Sequence, residues 1–191
     1  MPFLDLAYQG FAEGTDADAY APRLFAQATQ PVFLSSSFSK SFSLYGERVG
    51  AFSLVAGSSD EAARALSHLK RIVRTNYSNP PAHGSDIVAR ILADAELRKL
   101  WETELGAMRD RIKVMRRYLV DGIHKRVSGA DFSFVLQQRG MFSYSGLSRE
   151  QVLRLRSEYS IYTIETGRIC VAALTSNNID YVADAIARVM K

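Results

Sequence analysis

Two apolar runs, Pro31-Val32-Phe33-Leu34 and Val49 to Val55, flank a serine-rich link that holds a single lysine. The length of that link constrains the fold more than any other feature. Both runs read as strands. A parallel pair needs a crossover of about a dozen residues or more, and the stretch from Lys40 to Val49 is too short for one. The strand Val49–Val55 is therefore expected to run antiparallel to its predecessor. Upstream, Phe3 to Ala7 reads as a short strand. Thr15-Asp16 reads as the cap of a helix reaching about Gln27, with Tyr20, Leu24 and Phe25 as its apolar stripe and Pro22 in the tolerant first turns. Strand, helix, strand is a crossover unit, so the first strand and Val32–Ser36 should be parallel. These directions bring Asp5, Tyr8, Ser37, Lys40 and Arg48 to one edge of the sheet, the edge where open α/β sheets bind ligands.

The rest of the chain reads as helices, then a smaller mixed region. Ser59-Asp60-Glu61 opens a capped helix to about Arg74, with Ala62, Ala65, Leu66, Leu69, Ile72 and Val73 on its apolar side. Tyr77 to Gly84 is a proline-containing loop, and another helix begins with Asp86 to Leu92. After Asp94, the residues Leu97, Trp101, Leu105, Met108, Ile112, Met115 and Leu119 step by four and three along one long helix. A change of domain is placed within it, giving domains 1–108 and 109–191. Beyond Gly129 the pattern is α+β. Strands are expected at Phe132–Leu136, Met141–Tyr144, Ile161–Ile164 and Ile169–Ala173. Helices are expected at Ser148–Tyr159 and from the cap Ser176-Asn177-Asn178 to Met190.

Composition narrows the function class. The chain has 191 residues, 47% of them hydrophobic, enough for one or two domains with a core. A formal charge of +4, spread along the chain, weakly favours anionic ligands and does not argue for nucleic acid. No apolar run approaches the roughly 20 residues of a membrane span. The one cysteine, Cys170, sits in an apolar run and reads as a small core residue in a reducing compartment, expected to be the cytoplasm. His68, His83 and His124 lack metal-ligand spacing and read as surface or helix histidines, with no metal expected. The opening Met1-Pro2-Phe3-Leu4-Asp5 begins inside a strand with no lead-in.

Taken by residue type alone, Lys40 is either an exposed lysine on a serine-rich turn or a partly desolvated amine that forms a Schiff base with a carbonyl cofactor. Asp5 is a loop or capping acid or a partner for a cationic ring. Tyr8 is a buried phenol with a backbone partner or a cofactor ligand. Arg48 is ion-paired, with Glu47 the obvious partner, or binds an anion. Arg74 is a cation at a helix C-terminus or a substrate contact. Phe142 is, by pattern, a strand aromatic.

The segment Ser37-Phe38-Ser39-Lys40-Ser41-Phe42-Ser43-Leu44-Tyr45-Gly46-Glu47-Arg48-Val49-Gly50 resembles the cofactor-lysine segment of class I (fold-type I) aminotransferases, in their aspartate and aromatic-amino-acid subgroup. The similarity continues through Asp5-Leu6-Ala7-Tyr8-Gln9-Gly10-Phe11, Tyr77-Ser78-Asn79-Pro80-Pro81, Arg139-Gly140-Met141-Phe142-Ser143 and Gly167-Arg168. Ordered motifs over most of a chain are more specific than any one of them. The resemblance implies an α/β fold: the C-terminal part of the large domain of a pyridoxal-phosphate-dependent transferase, with a mixed, mostly parallel sheet, followed by a small α+β domain. It implies pyridoxal 5'-phosphate as cofactor, Lys40 as its lysine, Asp5 for the pyridine nitrogen, Tyr8 for the phenolic oxygen, and Ser37 and Arg48 for the phosphate. Arg168 would grip the substrate α-carboxylate. Arg74 would reach a neighbouring subunit's site, Phe142 would wall the substrate pocket, and Asn79 would lie in an intersubunit loop near it. The implied activity transfers an amino group from an aromatic amino acid, or aspartate, to 2-oxoglutarate within a homodimer. It also implies that this chain is the C-terminal half of a longer protein. The alternative is a truncated or split, non-catalytic fragment that needs an N-terminal half.

Overall fold

A computed structural model describes residues 1–28, 31–129 and 131–191. The chain divides into two compact units, Met1–Gly106 and Ala107–Lys191.

The first unit is built on a three-stranded sheet of β1 (Phe3–Leu6), β2 (Val32–Ser37) and β3 (Gly50–Val55), in that order. β1 and β2 are parallel, with Phe3 opposite Phe33 and Asp5 opposite Ser35. β2 and β3 are antiparallel, from Val32 opposite Val55 to Ser37 opposite Gly50. Both directions are those the link lengths require. The crossover differs from expectation. Instead of one helix capped at Thr15-Asp16, a 3₁₀ turn (Ala17–Ala19) leads into α1 (Tyr20–Ala28). The reason lies in Asp18, whose carboxylate accepts hydrogen bonds from the backbone N–H groups of Gly10, Ala12 and Glu13. Asp16 makes no cap bond and receives the Arg23 guanidinium.

Three helices follow: α2 (Ser59–Tyr77), α3 (His83–Ala93) and α4 (Ala95–His124). The cap of α2 is Ser58, one residue before the expected position; its hydroxyl accepts from Glu61 N, while the Glu61 carboxylate accepts from Gly57 N. α3 begins three residues before Asp86, and its Gly84 packs so closely that a Cβ there would stand 2.9 Å from the Glu47 Cβ. The apolar stripe of α2 is not covered: Leu66 is 52% and Ile72 61% exposed.

The second unit has a conventional core. It holds the later turns of α4, a one-turn helix α5 (Phe134–Gln137), β4 (Phe142–Tyr144), α6 (Arg149–Tyr159), β5 (Arg168–Cys170) and α7 (Ile179–Val189). Leu119, Val120, Ile123, Phe132, Val135, Val152, Leu155 and Ile186 are almost wholly buried. α6 starts on a full capping box between Ser148 and Gln151. Two strand expectations fail here and a third strand is shorter than expected. In place of a strand over Phe132–Leu136 the chain forms the helical turn Phe134–Gln137, because the buried pair is Phe132 and Val135, three apart, and the Asp131 carboxylate accepts from Ser133 N. Ile161–Ile164 is irregular: α6 ends in a left-handed Ser160, and Ile161 N turns back to the Leu155 carbonyl. β5 stops at Cys170 because Val171–Ala173 closes into a 3₁₀ turn. Cys170 itself is exposed, not a core residue. No helix among the described residues is long and apolar enough to cross a membrane.

Candidate active site

The first unit places the candidate residues Asp5, Ser37 and Arg48 where β1 and β2 end and β3 begins. The β2–β3 ladder continues one bond past the strands, Phe38 N donating to the Val49 carbonyl at 3.2 Å. Ser37 and Arg48 thus sit at neighbouring strand ends. Between them the chain folds into successive turns, with Phe42 N bonded to the Phe38 carbonyl and Ser43 N to the Lys40 carbonyl. Ser43 and Arg48 adopt left-handed backbone (φ 56° and 52°), which costs a non-glycine residue about 1 kcal/mol. Such conformations persist only where the surroundings over-determine them.

Those surroundings are visible. The Trp101 indole N–H donates to the Ser41 carbonyl at 2.7 Å, and its ring stacks on Phe42 with centroids 4.4 Å apart. Phe38 meets Phe42 edge-on at 5.5 Å. From the opposite end, His83 Nδ1 lies 2.8 Å from the Glu47 carboxylate. The loop is therefore pinned twice, from α4 and from α3.

Lys40 is half-buried, and its Nζ stands 4.9 Å from the centroid of the Tyr8 ring. A cation over a phenol face is held by the ring quadrupole. Asp5 lies in β1 on an exposed position. Arg48 is exposed and donates to the Tyr45 carbonyl at 2.9 Å. Among the described residues no carboxylate pairs with Arg48, since Glu47 turns to His83 instead. A cavity of about 180 Å³ opens beside this edge, lined by Ser36, Ser37, Phe38, Ser41, Arg98 and Trp101 among others. Arg74, at the end of α2, folds onto its own chain: Nη1 donates to Ser78 Oγ, which in turn donates to Asn79 Oδ1.

In the second unit, Arg168 is exposed and its guanidinium carbon stands 4.9 Å from the Phe142 ring centroid. β4 and β5 pair antiparallel, with Tyr144 opposite Arg168 and Phe142 opposite Cys170. The turn into Arg168 is tight. Gly167 has φ +84°, its carbonyl accepts from both Ser145 N and Ser145 Oγ, and a Cβ would stand 2.9 Å from the Leu147 carbonyl.

A family model described as aminotransferase class I and II matches residues 1–186. The chain belongs to the class I and II aminotransferase family. An aspartate aminotransferase of Pseudomonas aeruginosa is 58% identical over 190 residues, covering 100% of this chain and 48% of that protein. The chain spans about half the length of the curated relatives it matches. A crystal structure of an aromatic-amino-acid aminotransferase from Burkholderia pseudomallei, covalently bound to pyridoxal phosphate, superposes with TM-score 0.97 at 64% identity, over 100% of this chain and 48% of that one. An aromatic amino acid aminotransferase from Psychrobacter, cocrystallised with aspartic acid, matches at TM-score 0.98 and 50% identity, with the same coverage.

Two groups that shape this site escape a sequence reading. Trp101 sits in the apolar stripe of a long helix and reads as core, although a half-buried indole N–H needs a partner. Asp18 carries no pattern at all, since three loop amides converge on it only in the folded chain.

Proposed function

We propose that the chain is the C-terminal portion of a pyridoxal-phosphate-dependent aminotransferase acting between an aromatic amino acid, with aspartate as a second substrate, and 2-oxoglutarate. The observation that carries this reading is the Lys40 amine over the Tyr8 ring, at a sheet edge that also holds Asp5, Ser37 and Arg48, which has no acidic partner among the described residues. That donor set suits the cofactor. Its phosphate is a dianion that calls for a hydroxyl and an unneutralised guanidinium, and its ring nitrogen calls for a carboxylate. When bound, pyridoxal phosphate supplies an aldehyde and a ring that accepts the electron pair left at the substrate Cα.

The chain's own groups do the rest. Lys40 would be the residue that holds the cofactor through its aldehyde, with release of water, and its amine, once freed by the substrate amine, would carry the Cα proton as general base and acid. Asp5 keeps the pyridine nitrogen protonated. Tyr8 donates to the phenolic oxygen. Ser37 and Arg48 hold the phosphate with charge-assisted bonds. Arg168 grips the α-carboxylate with two parallel bonds and so fixes which bond at Cα lies ready to break. Phe142 walls the substrate site. In a homodimer, Arg74 leaves Ser78 to meet the side-chain carboxylate of a dicarboxylic substrate in the partner's site, and Asn79 lies beside it. The names of the two solved relatives support the aromatic preference. The reaction belongs in the cytoplasm. Residues 1–108 form the cofactor domain and 109–191 the small domain.

A second reading is favoured by the burial pattern. In the first unit only Phe11, Val32, Val88 and Leu105 are buried apolar residues among those described, while Phe3 is 62% and Phe52 49% exposed on the sheet. A chain so sparsely covered is a fragment that needs an N-terminal half to bind cofactor well and to turn over. One experiment serves both readings. In the complete protein, borohydride should fix pyridoxal phosphate on Lys40, and Lys40→Ala should abolish the bound-cofactor absorbance; an unchanged spectrum in that variant refutes the role of Lys40. The chain alone should bind weakly and label its lysines indiscriminately. Tight, stoichiometric binding by it overturns the second reading.

A further inference from the structure

Arg116 is the one charged residue among the described core positions, only 3% exposed. Among the described residues no carboxylate pairs with it. Nη2 donates to the Gly140 carbonyl at 2.6 Å, and Nε lies 3.3 Å from Ser143 Oγ. Burial lowers its pKa, and the neighbouring Arg139 guanidinium lowers it further. A buried cation held by carbonyl dipoles, with a like charge nearby, is a poor choice for stability alone; an apolar residue of that volume would serve a core better. What the guanidinium does is fix a backbone. Gly140 (φ +81°) and Ser143 bracket Met141-Phe142, the entry to β4. One helical turn and a half earlier on α4, Arg111 reaches the other strand's exit, donating to the carbonyls of Ala172 (2.6 Å) and Leu174 (2.8 Å). The Ala172 N–H closes the two ends together on the Met141 carbonyl. Both strands of the β4–β5 pair are thereby tied to α4 by arginines. Phe142 stands between the Gly140 and Ser143 ties, and Arg168 lies on β5 opposite Tyr144, one pair beyond them.

We propose that Arg116 is a positioning residue for Arg168: by holding the Gly140–Ser143 segment against α4 it fixes the Phe142 ring, and the ring fixes where the Arg168 guanidinium stands. This rests on the reading of Arg168 as the carboxylate clamp, for which a displacement near 1 Å costs on the order of a hundredfold in rate. Arg111 anchors the same sheet from its other edge. Arg116 and Arg111 bond only to this chain's own backbone and Ser143, so each is a positioning residue and not a catalytic one.

The test reads geometry, not turnover. In the full chain, the Arg168 side-chain proton signals, assigned by their loss in Arg168→Lys, should be displaced by the Phe142 ring current, and Phe142→Leu should remove that displacement. In Arg116→Met the displacement should fall toward the Phe142→Leu value while the methyl signals of Leu119, Ile123 and Val152 hold, and Arg116→Lys, which keeps the charge and one donor, should restore part of it. A displacement unchanged in Arg116→Met overturns the proposal. So does one lost only together with the core methyls both in that variant and in the milder Arg116→Gln. Whether Arg168 grips a carboxylate is decided separately, by Arg168→Lys in the complete protein: an unchanged KM there defeats the clamp reading and leaves the ring-current result standing.

Discussion

Trp101 is the tether of the lysine loop, and its removal can be worked out in two steps. Trp101→Phe keeps a ring for Phe42 to stack on and loses only the N–H to the Ser41 carbonyl. A net hydrogen bond of this kind contributes about 1 kcal/mol. Trp101→Ala also loses the stack, worth about 1 kcal/mol, and the packing of a half-buried ring, about 2 kcal/mol when a fully buried one costs about 3–5. The expected losses are therefore about 1 and about 4 kcal/mol. With a urea dependence of about 2 kcal/mol per molar, the unfolding midpoint should fall by about 0.5 M in the first variant and about 2 M in the second. Far-ultraviolet circular dichroism reads the midpoint without relying on the tryptophan, the only one in the chain. Amide exchange reads the loop: Phe42 and Ser43, donors to the Phe38 and Lys40 carbonyls, should lose protection in both variants. Equal midpoints for the two variants would refute the stack as an anchor. Unchanged exchange at Phe42 and Ser43 would refute the tether altogether.

Other consequences follow from single contacts. The Glu47 carboxylate raises the His83 pKa above its ordinary 6.5, chiefly through their hydrogen bond. Asp86 adds to the effect. The folded state then holds the proton more tightly than the unfolded chain, so the pair's contribution is full below 6.5 and is lost as pH rises through the raised value. The stability gap between the wild type and Glu47→Gln should accordingly shrink with rising pH across that window, and a gap that is flat in pH would refute the coupling. Gly167→Ala forces a left-handed alanine, at about 1–2 kcal/mol, and drives its Cβ toward the Leu147 carbonyl. The thermal midpoint should drop and the Ser145 amide should lose protection, whereas a wild-type midpoint would show that the turn relaxes freely.

Directions of strands were legible in the sequence because they depend on chain length between apolar runs, and steric reach does not need a tertiary context. The same arithmetic places Asp5, Tyr8, Ser37, Lys40 and Arg48 at one edge from link lengths alone. What was not legible is how each group is held. Arg48 next to Glu47 in sequence looks like an ion pair; the left-handed backbone at Arg48 parts them, and Glu47 goes to His83. Arg74 at a helix end could serve its own helix or reach elsewhere; here it serves Ser78.

The misread segments share one cause. Phe132, Phe134 and Leu136 alternate, which favours a strand when every apolar residue is taken to face a core. Only Phe132 and Val135 do so, and their spacing of three selects a helical turn. The same assumption places Cys170 and the stripe of α2 in a core, whereas Cys170, Leu66 and Ile72 are exposed. Hydrophobic periodicity reports which residues want cover, not whether cover is present. In the second unit the wanted and the actual burial coincide at Ile112, Met115 and Leu119 of α4, while Met108 of the same stripe stands 41% exposed. In the first they part: Leu66, Ile72, Phe3 and Phe52 carry the pattern of buried residues and stand exposed. If the second reading is right, a complementary half added to the chain should protect those four from solvent while leaving the core of Leu119, Ile123 and Ile186 as it is. Hydrogen exchange of the two units, with and without that half, would separate them, and equal gains in both units would count against a cover specific to the sheet.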